Sequence, residues 1–303
     1  MRGKDLAALF ALAAVWGGSF LFIRVAVPSL GAFPLVAGRV VLGGLVLWAG
    51  LSAFGQRADL RAHWRKLLVL GAINAAIPFA LIASAELRLT ASLAAMLNAT
   101  VPFWAALFGV IWLGERITVK RCIGLAMGVI GVGVLVGWSP VGLTRDTLLS
   151  IGAMLVATCS YALAGVYTKR QLSGVPGPTL ALGQQVGAAV WLVGPALWQV
   201  PSSHPSQAAV ISLILLATLS TAFAYLLYFH LIAAVGPTNT TTVTYLIPLF
   251  GTVWGAVFLG ERVTPGMLAG LGLILASVLL VNEVRLASLT SRFRGRAVRA
   301  DCA

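Results

Sequence analysis

From Gln171 to Gly260 the chain runs through 90 residues without one Asp, Glu, Lys or Arg. A soluble fold cannot do this, because its water-facing surface draws on those four residue types, which make up about a quarter of an average chain. The same length holds three membrane spans of about 20 residues each. The rest of the 303 residues follows suit, with 59% hydrophobic, 10% charged and a mean hydropathy of +0.97. An all-α integral membrane protein is predicted.

Breaks at Pro, Gly, Ser and charged clusters divide the chain into ten apolar segments, approximately 6–27, 33–54, 67–86, 90–113, 119–138, 147–168, 178–199, 208–232, 238–259 and 265–283. The uncharged stretch is cut at Pro201 to Pro205 and at Val235 to Asn239. An even number of spans puts both termini on one side. That side collects 16 of the 21 Lys and Arg residues, whereas Arg24, Arg88, Arg145 and Arg262 fall on the other and Arg39 inside a span. The positive-inside rule then places both termini in the cytoplasm. The net charge of +13 therefore reads as a topology signal, with residues 285–303 as a basic tail on anionic lipid, and no nucleic-acid partner is expected. Cys122, Cys159 and Cys302 are far apart, so neither a disulfide framework, a metal site nor a cofactor is expected. The first apolar run leads into Arg24 without a cleavage site and is read as a span.

The two halves repeat each other. At a constant offset of 146, Pro102 aligns with Pro248, Gly109 with Gly255, Leu113-Gly114-Glu115-Arg116 with Leu259-Gly260-Glu261-Arg262, and Thr118 with Thr264. At an offset of 145, Trp16 meets Tyr161 and Arg24 meets Lys169. Each half holds five spans, an odd number, so the halves cross the membrane in opposite senses. The expected architecture is ten transmembrane helices in two inverted five-helix repeats around a central cavity, residues 1–140 and 141–284.

The Trp16-Gly17-Gly18-Ser19-Phe20 run, Arg39 and the duplicated Pro-x11-Gly-Glu-Arg block resemble the EamA-type branch of the drug/metabolite transporter superfamily over nearly the whole chain. The resemblance implies alternating-access export of amino acids or related metabolites, most closely in the manner of bacterial inner-membrane exporters of aromatic and other neutral amino acids. The second half departs from the pattern, with Tyr161-Ala162-Leu163-Ala164-Gly165 where the tryptophan motif would repeat.

Candidate substrate-binding residues are Trp16, Arg39, Asn98, Tyr161, Tyr225, His230 and Thr244. Arg39 lies about six residues into its span, either facing the cavity to attract a carboxylate or snorkelling to the interface. His230 either couples transport to protons or packs as a hydrogen-bonded histidine. Pro102 and Pro248 lack an N–H, and each is expected to kink its helix, freeing the carbonyls of Asn98 and Thr244 as two symmetric polar spots near the midplane. Trp16, Tyr161 and Tyr225 would supply apolar walls with polar tips. Glu115 and Glu261 are read mainly as turn-forming residues and Glu86 as an interface marker. Glycine pairs at 124/128, 133/137 and 266/270 favour tight packing of spans five and ten within a monomer over homodimerisation.

A membrane enzyme would need a nucleophile with a base, or paired carboxylates, within the spans, and the sequence holds neither. A proton-coupled exporter of drugs is the alternative within transporters, but the first span lacks the membrane carboxylate that a cationic drug needs. A small-molecule substrate, and possible coupling to protons, are the partner expectations. With Arg116→Cys and Arg262→Cys in separate otherwise cysteine-free chains, an impermeant thiol reagent should label the two positions from opposite faces of the membrane. Labelling from one face would overturn the inverted arrangement.

Overall fold

The computed structural model describes residues 3–113, 118–199, 204–236 and 240–281. The Glu115 and Arg116 turn, Pro201 to Ser203, Pro237 to Asn239 and the basic tail lie outside the described residues. Ten crossings appear where the apolar segments lie. They are α1 (Gly3–Leu30), α2 (Ala32–Ala53), α3 (Arg61–Ala85), α4 in two pieces (Ala91–Asn98 and Val101–Leu113), α5 (Val119–Gly137), α6 (Arg145–Gln171), α7 (Gly177–Trp198), α8 (Gln207–Val235), α9 (Val243–Leu259) and α10 (Pro265–Val281). Eight are long and apolar enough to cross a membrane, while α9 and α10 are shorter over their described residues.

The duplicated threonines after the Gly-Glu-Arg turns start helices. Thr118 Oγ1 accepts from the Arg121 amide and Thr264 Oγ1 from the Met267 amide, both at 3.2 Å, satisfying donors that a helix start leaves open. Pro265 fills the first helical position, where a missing N–H costs nothing.

The packing is two-fold in pattern. α1 packs on α9 as α6 packs on α4, α2 on α8 as α7 on α3, and α1 on α8 as α6 on α3. Each of these pairs joins one half of the chain to the other, so the two repeats interlock rather than lie side by side. α5 and α10 form a close pair of their own. A Cβ on Gly270 would come within 2.5 Å of the Leu135 amide nitrogen, and one on Gly124 within 2.6 Å of Val281. Gly133 and Gly137, expected in the same seam, have nothing within 4 Å of a would-be Cβ. The seam instead continues through Gly131 against Ile274, because a helix of 3.6 residues per turn carries 133 and 137 off the face that 124, 128 and 131 share.

Gly270→Val should therefore lower the midpoint of thermal unfolding in detergent, by an overpacking cost of about 1–3 kcal/mol. Gly133→Ala should leave it unchanged or raise it, by up to about 1 kcal/mol of helix propensity. A scanning measurement of both variants decides whether the seam is where the packing puts it.

Candidate functional site: a central polar cavity

A cavity of about 600 Å³ lies among α1–α4 and α6–α9, and α5 and α10 contribute nothing to its described lining. It runs from Thr168, Ile232 and Thr241 at one end to Ile23 and Ile82 at the other. The first end is open, with Gly165 and Thr241 exposed, whereas Glu86, Leu89 and Ala91 beyond the second are wholly buried. The wall is aromatic. Trp16 rests on Tyr228 with ring centroids 5.6 Å apart, Tyr161 on Phe79 at 6.3 Å and Tyr225 on Phe229 at 6.2 Å.

Arg39 lines this cavity and does not snorkel. It is only 6% exposed, its guanidinium carbon stands 4.0 Å from the Phe79 ring centre, and its Nε donates to Thr221 Oγ1 at 3.2 Å. A cation over an aromatic face is attracted by the ring quadrupole, so the charge is held in place with its terminal nitrogens still able to donate. No Asp or Glu lines the cavity among the described residues.

The helices that carry the polar groups are locally irregular. Ala72–Ala76 in α3 and Thr218–Phe223 in α8 are π-helical, and the two segments start 146 residues apart, at equivalent places in the repeat. A π turn adds a residue to the helical circuit and shifts side-chain directions, and such turns concentrate at functional sites. Here the first presents Asn74 and the second Ser220 and Thr221 to the cavity. Asn74 Nδ2 donates to Gln184 Oε1, and Gln184 Nε2 donates to the Tyr225 hydroxyl oxygen. Arg39 of α2 thus meets the α8 π turn as Gln184 of α7 meets the α3 π turn. The sequence reading passed over Asn74, Gln184 and Ser19. The available signal was their polarity in apolar spans at repeat-equivalent positions, Asn74 opposite Ser220 and Gln184 opposite Arg39.

Trp16, Arg39, Asn98, Tyr161, Tyr225 and Thr244 all line the one cavity. Asn98 Oδ1 and Ser19 Oγ are buried there without a hydrogen-bond partner among the described residues. His230 is not brought to it: its side chain is exposed, because the helical turn that points Tyr225, Tyr228 and Ile232 inward points 230 away. The two prolines also depart from the expected symmetry. Pro102 does not kink a continuous helix. The first piece of α4 stops at Asn98, Thr100 caps it by donating from both N and Oγ1 to Leu97 O at 3.0 and 2.8 Å, and Pro102 enters at the start of a new helix. Pro248 does sit inside α9, so the Thr244 carbonyl lacks its helical donor, while Thr244 Oγ1 donates to Thr241 O at 2.8 Å.

The sealed end is held by the second Gly-Glu-Arg turn. Gly260 adopts φ 63°, a left-handed conformation that favours glycine, and this turns Glu261 back over α9. Glu261 Oε1 accepts from the Ala91 amide at 2.7 Å and Oε2 from the Ser92 amide at 2.8 Å, so one carboxylate caps the start of α4 from the other repeat. Gly255 makes room, since a Cβ there would lie 2.5 Å from Glu261 Oε2 and 2.4 Å from Ser92 Oγ. The spacing of the repeated Gly-x4-Gly-Glu thus has a physical reason.

Ten crossings in two interlocked repeats, with a polar cavity at the centre and a seal at one end, define a membrane transporter. The chain belongs to the EamA-like transporter family, which it matches over residues 4–137 and again over 148–283. It is 28% identical to the uncharacterized transporter YvbV of Bacillus subtilis, over 89% of each chain. It is 26% identical to the probable terminal-alkyne amino-acid exporter of Streptantibioticus cattleyicolor, over 92% of this chain and 94% of that one. A further relative is the uncharacterized inner membrane transporter YedA of Escherichia coli, at 25% identity over 91% and 89%. One solved crystal structure shares the fold at a TM-score of 0.65 and 19% identity, covering 96% of this chain and 99% of its own.

Gly255→Ala should push the Glu261 carboxylate off the α4 amides, a loss of about 1–3 kcal/mol for charge-assisted bonds left unmade. Hydrogen exchange at Ala91 and Ser92 should quicken accordingly, while exchange in the α5–α10 seam stays at the wild-type rate.

Proposed function

We propose that this transporter exports amino acids with neutral, often aromatic side chains by alternating access. The observation that carries the reading is Arg39, a fixed cation in an aromatic-walled cavity whose described lining holds no carboxylate. Such a cavity is electrostatically incomplete without an anionic group, and a guanidinium matches a carboxylate in shape and charge. The α-ammonium of the same solute would find the unpartnered acceptors Asn98 Oδ1 and Ser19 Oγ, together with tyrosine ring faces. The side chain would lie against Trp16, Tyr228 and Phe229. A volume of about 600 Å³ falls in the usual range for small-molecule sites. The relative from Streptantibioticus cattleyicolor that is named as an amino-acid exporter supports this substrate class. Export of cationic drugs is disfavoured by the positive charge of the cavity.

We further place both termini in the cytoplasm of a bacterial inner membrane, in keeping with the positive-inside count and with the naming of the Escherichia coli relative. In that orientation the cavity opens beside Lys169 and Arg170, toward the cytoplasm, as loading for export requires. The two transport repeats are taken to meet near residue 140, and the monomer suffices because each repeat closes on the other.

Proteoliposomes should take up radiolabelled neutral and aromatic amino acids saturably. Arg39→Gln should raise KM for amino acids about tenfold to a hundredfold, the value of a hydrogen bond to a charged group, and leave their amides within about twofold. Asn98→Ala should raise KM for both. Equal losses for acids and amides, or no saturable uptake of any amino acid, would overturn the assignment.

A further inference from the structure

At the sealed end of the cavity Glu86 terminates α3, and its carboxyl group is buried without a partner among the described residues. The residue is 0% exposed, and neither Oε1 nor Oε2 has a hydrogen-bond partner among the described residues. Among the described residues none of its charged neighbours bonds to the carboxyl. From α1, Arg24 gives its guanidinium to the Glu86 backbone carbonyl. From α2, Arg39 is held by Thr221 and Phe79. From the turn before α10, Glu261 is committed to the Ala91 and Ser92 amides. Arg88 and Asp146, nearest the surface, pair with each other at 3.5 Å and are 62% exposed. The charges that act on Glu86 are Glu261, which repels an anion there, and Arg24 and Arg39, which attract one without a hydrogen bond to the carboxyl.

A carboxylate with neither water nor a donor is strongly unfavourable, whereas the neutral acid has no net charge to desolvate. The sealed arrangement therefore suits a protonated Glu86. An ionised Glu86 needs water, and water reaches it only if the turn from Glu86 to Leu89 and the start of α4 move away from Glu261.

We propose that Glu86 is a proton-binding site that governs the seal: with the proton bound the end is closed, and loss of the proton opens it. The seal is then a two-carboxyl device in which the groups act in opposite senses. Glu261 closes the end as an anion, by capping α4, while Glu86 closes it as the neutral acid. In the proposed orientation this end faces outward, so the proton concentration outside would set how readily the empty carrier opens there. The proposal rests on this end opening during transport and not on which solute is carried.

The test uses the full chain in lipid nanodiscs without solute, and reads amide exchange at Ala91, Ser92 and Leu93 across a pH series, corrected for intrinsic chemical exchange. In the wild type, protection should fall as the pH rises, approaching about tenfold per pH unit where Glu86 is ionised in the opened form and still protonated in the closed one, the slope of a single linked proton. Glu86→Gln should hold its protection across the series. Glu86→Met, which removes the titrating group without burying a polar one, should do the same and serves if the glutamine variant does not fold. Glu86→Asp should keep a pH response. Wild type and Glu86→Gln with the same profile would overturn the proposal. So would loss of protection only on acidification, which is the opposite sign. Because no solute is present, failure of the amino-acid assignment and failure of this one are separate results.

Discussion

Inside a bilayer no water waits to satisfy a backbone group that a helix releases, so each irregularity in a span must be met by the protein itself or by a cavity. The architecture follows from where this chain breaks that regularity. The π turns at Ala72–Ala76 and Thr218–Phe223, and the gap in α4 after Asn98, all border the central cavity. Pro248 interrupts α9 at Thr244, which lines the same cavity. The polar site is thus located by the same constraint that forbids irregular backbone anywhere else.

Close approach between the repeats depends on the absence of side chains at a few places. A Cβ on Gly17 would meet the Gly251 amide at 2.8 Å, and one on Gly71 would lie 2.5 Å from the Gly187 carbonyl carbon. Without strong hydrophobic attraction between helices in lipid, such contacts supply the dispersion energy that holds spans together. Gly255 and Gly260 serve the seal in the same way, one by leaving space for a carboxylate and the other by turning the chain so that the carboxylate arrives. A motif that looks like a loop signature is therefore a means of joining α9 to the start of α4 across the repeat boundary.

Six of the seven residues singled out from the sequence for substrate binding line one cavity, and the seventh does not. Arg39, Asn98 and Thr244 were legible because polarity in the middle of an apolar span is expensive and marks a place where water or a partner must be. His230 met the same criterion of polarity and yet points outward, because composition cannot say which face of a helix is turned to the bundle. Pro102 and Pro248 align in sequence, but one begins a helix and the other interrupts one. The difference comes from Thr100, whose amide and hydroxyl cap the preceding helix and let it end, and this depends on residues two positions away from the repeated block.

The sequence by itself determined the membrane class, the ten crossings and the two-fold repeat, because hydropathy, length and duplication are properties of the chain alone, each independent of any neighbour. Only the tertiary structure decided which end is sealed and where the polar groups meet. The Glu261 carboxylate reaches the Ala91 amide 170 residues away, Gln184 joins Asn74 to Tyr225 through a π turn with no signature in composition, and Glu86, read from the sequence as an interface marker, is wholly buried against Arg24. Those relations depend on how helices rotate about their axes and on which half packs against which, and both are set by contacts between distant parts of the chain.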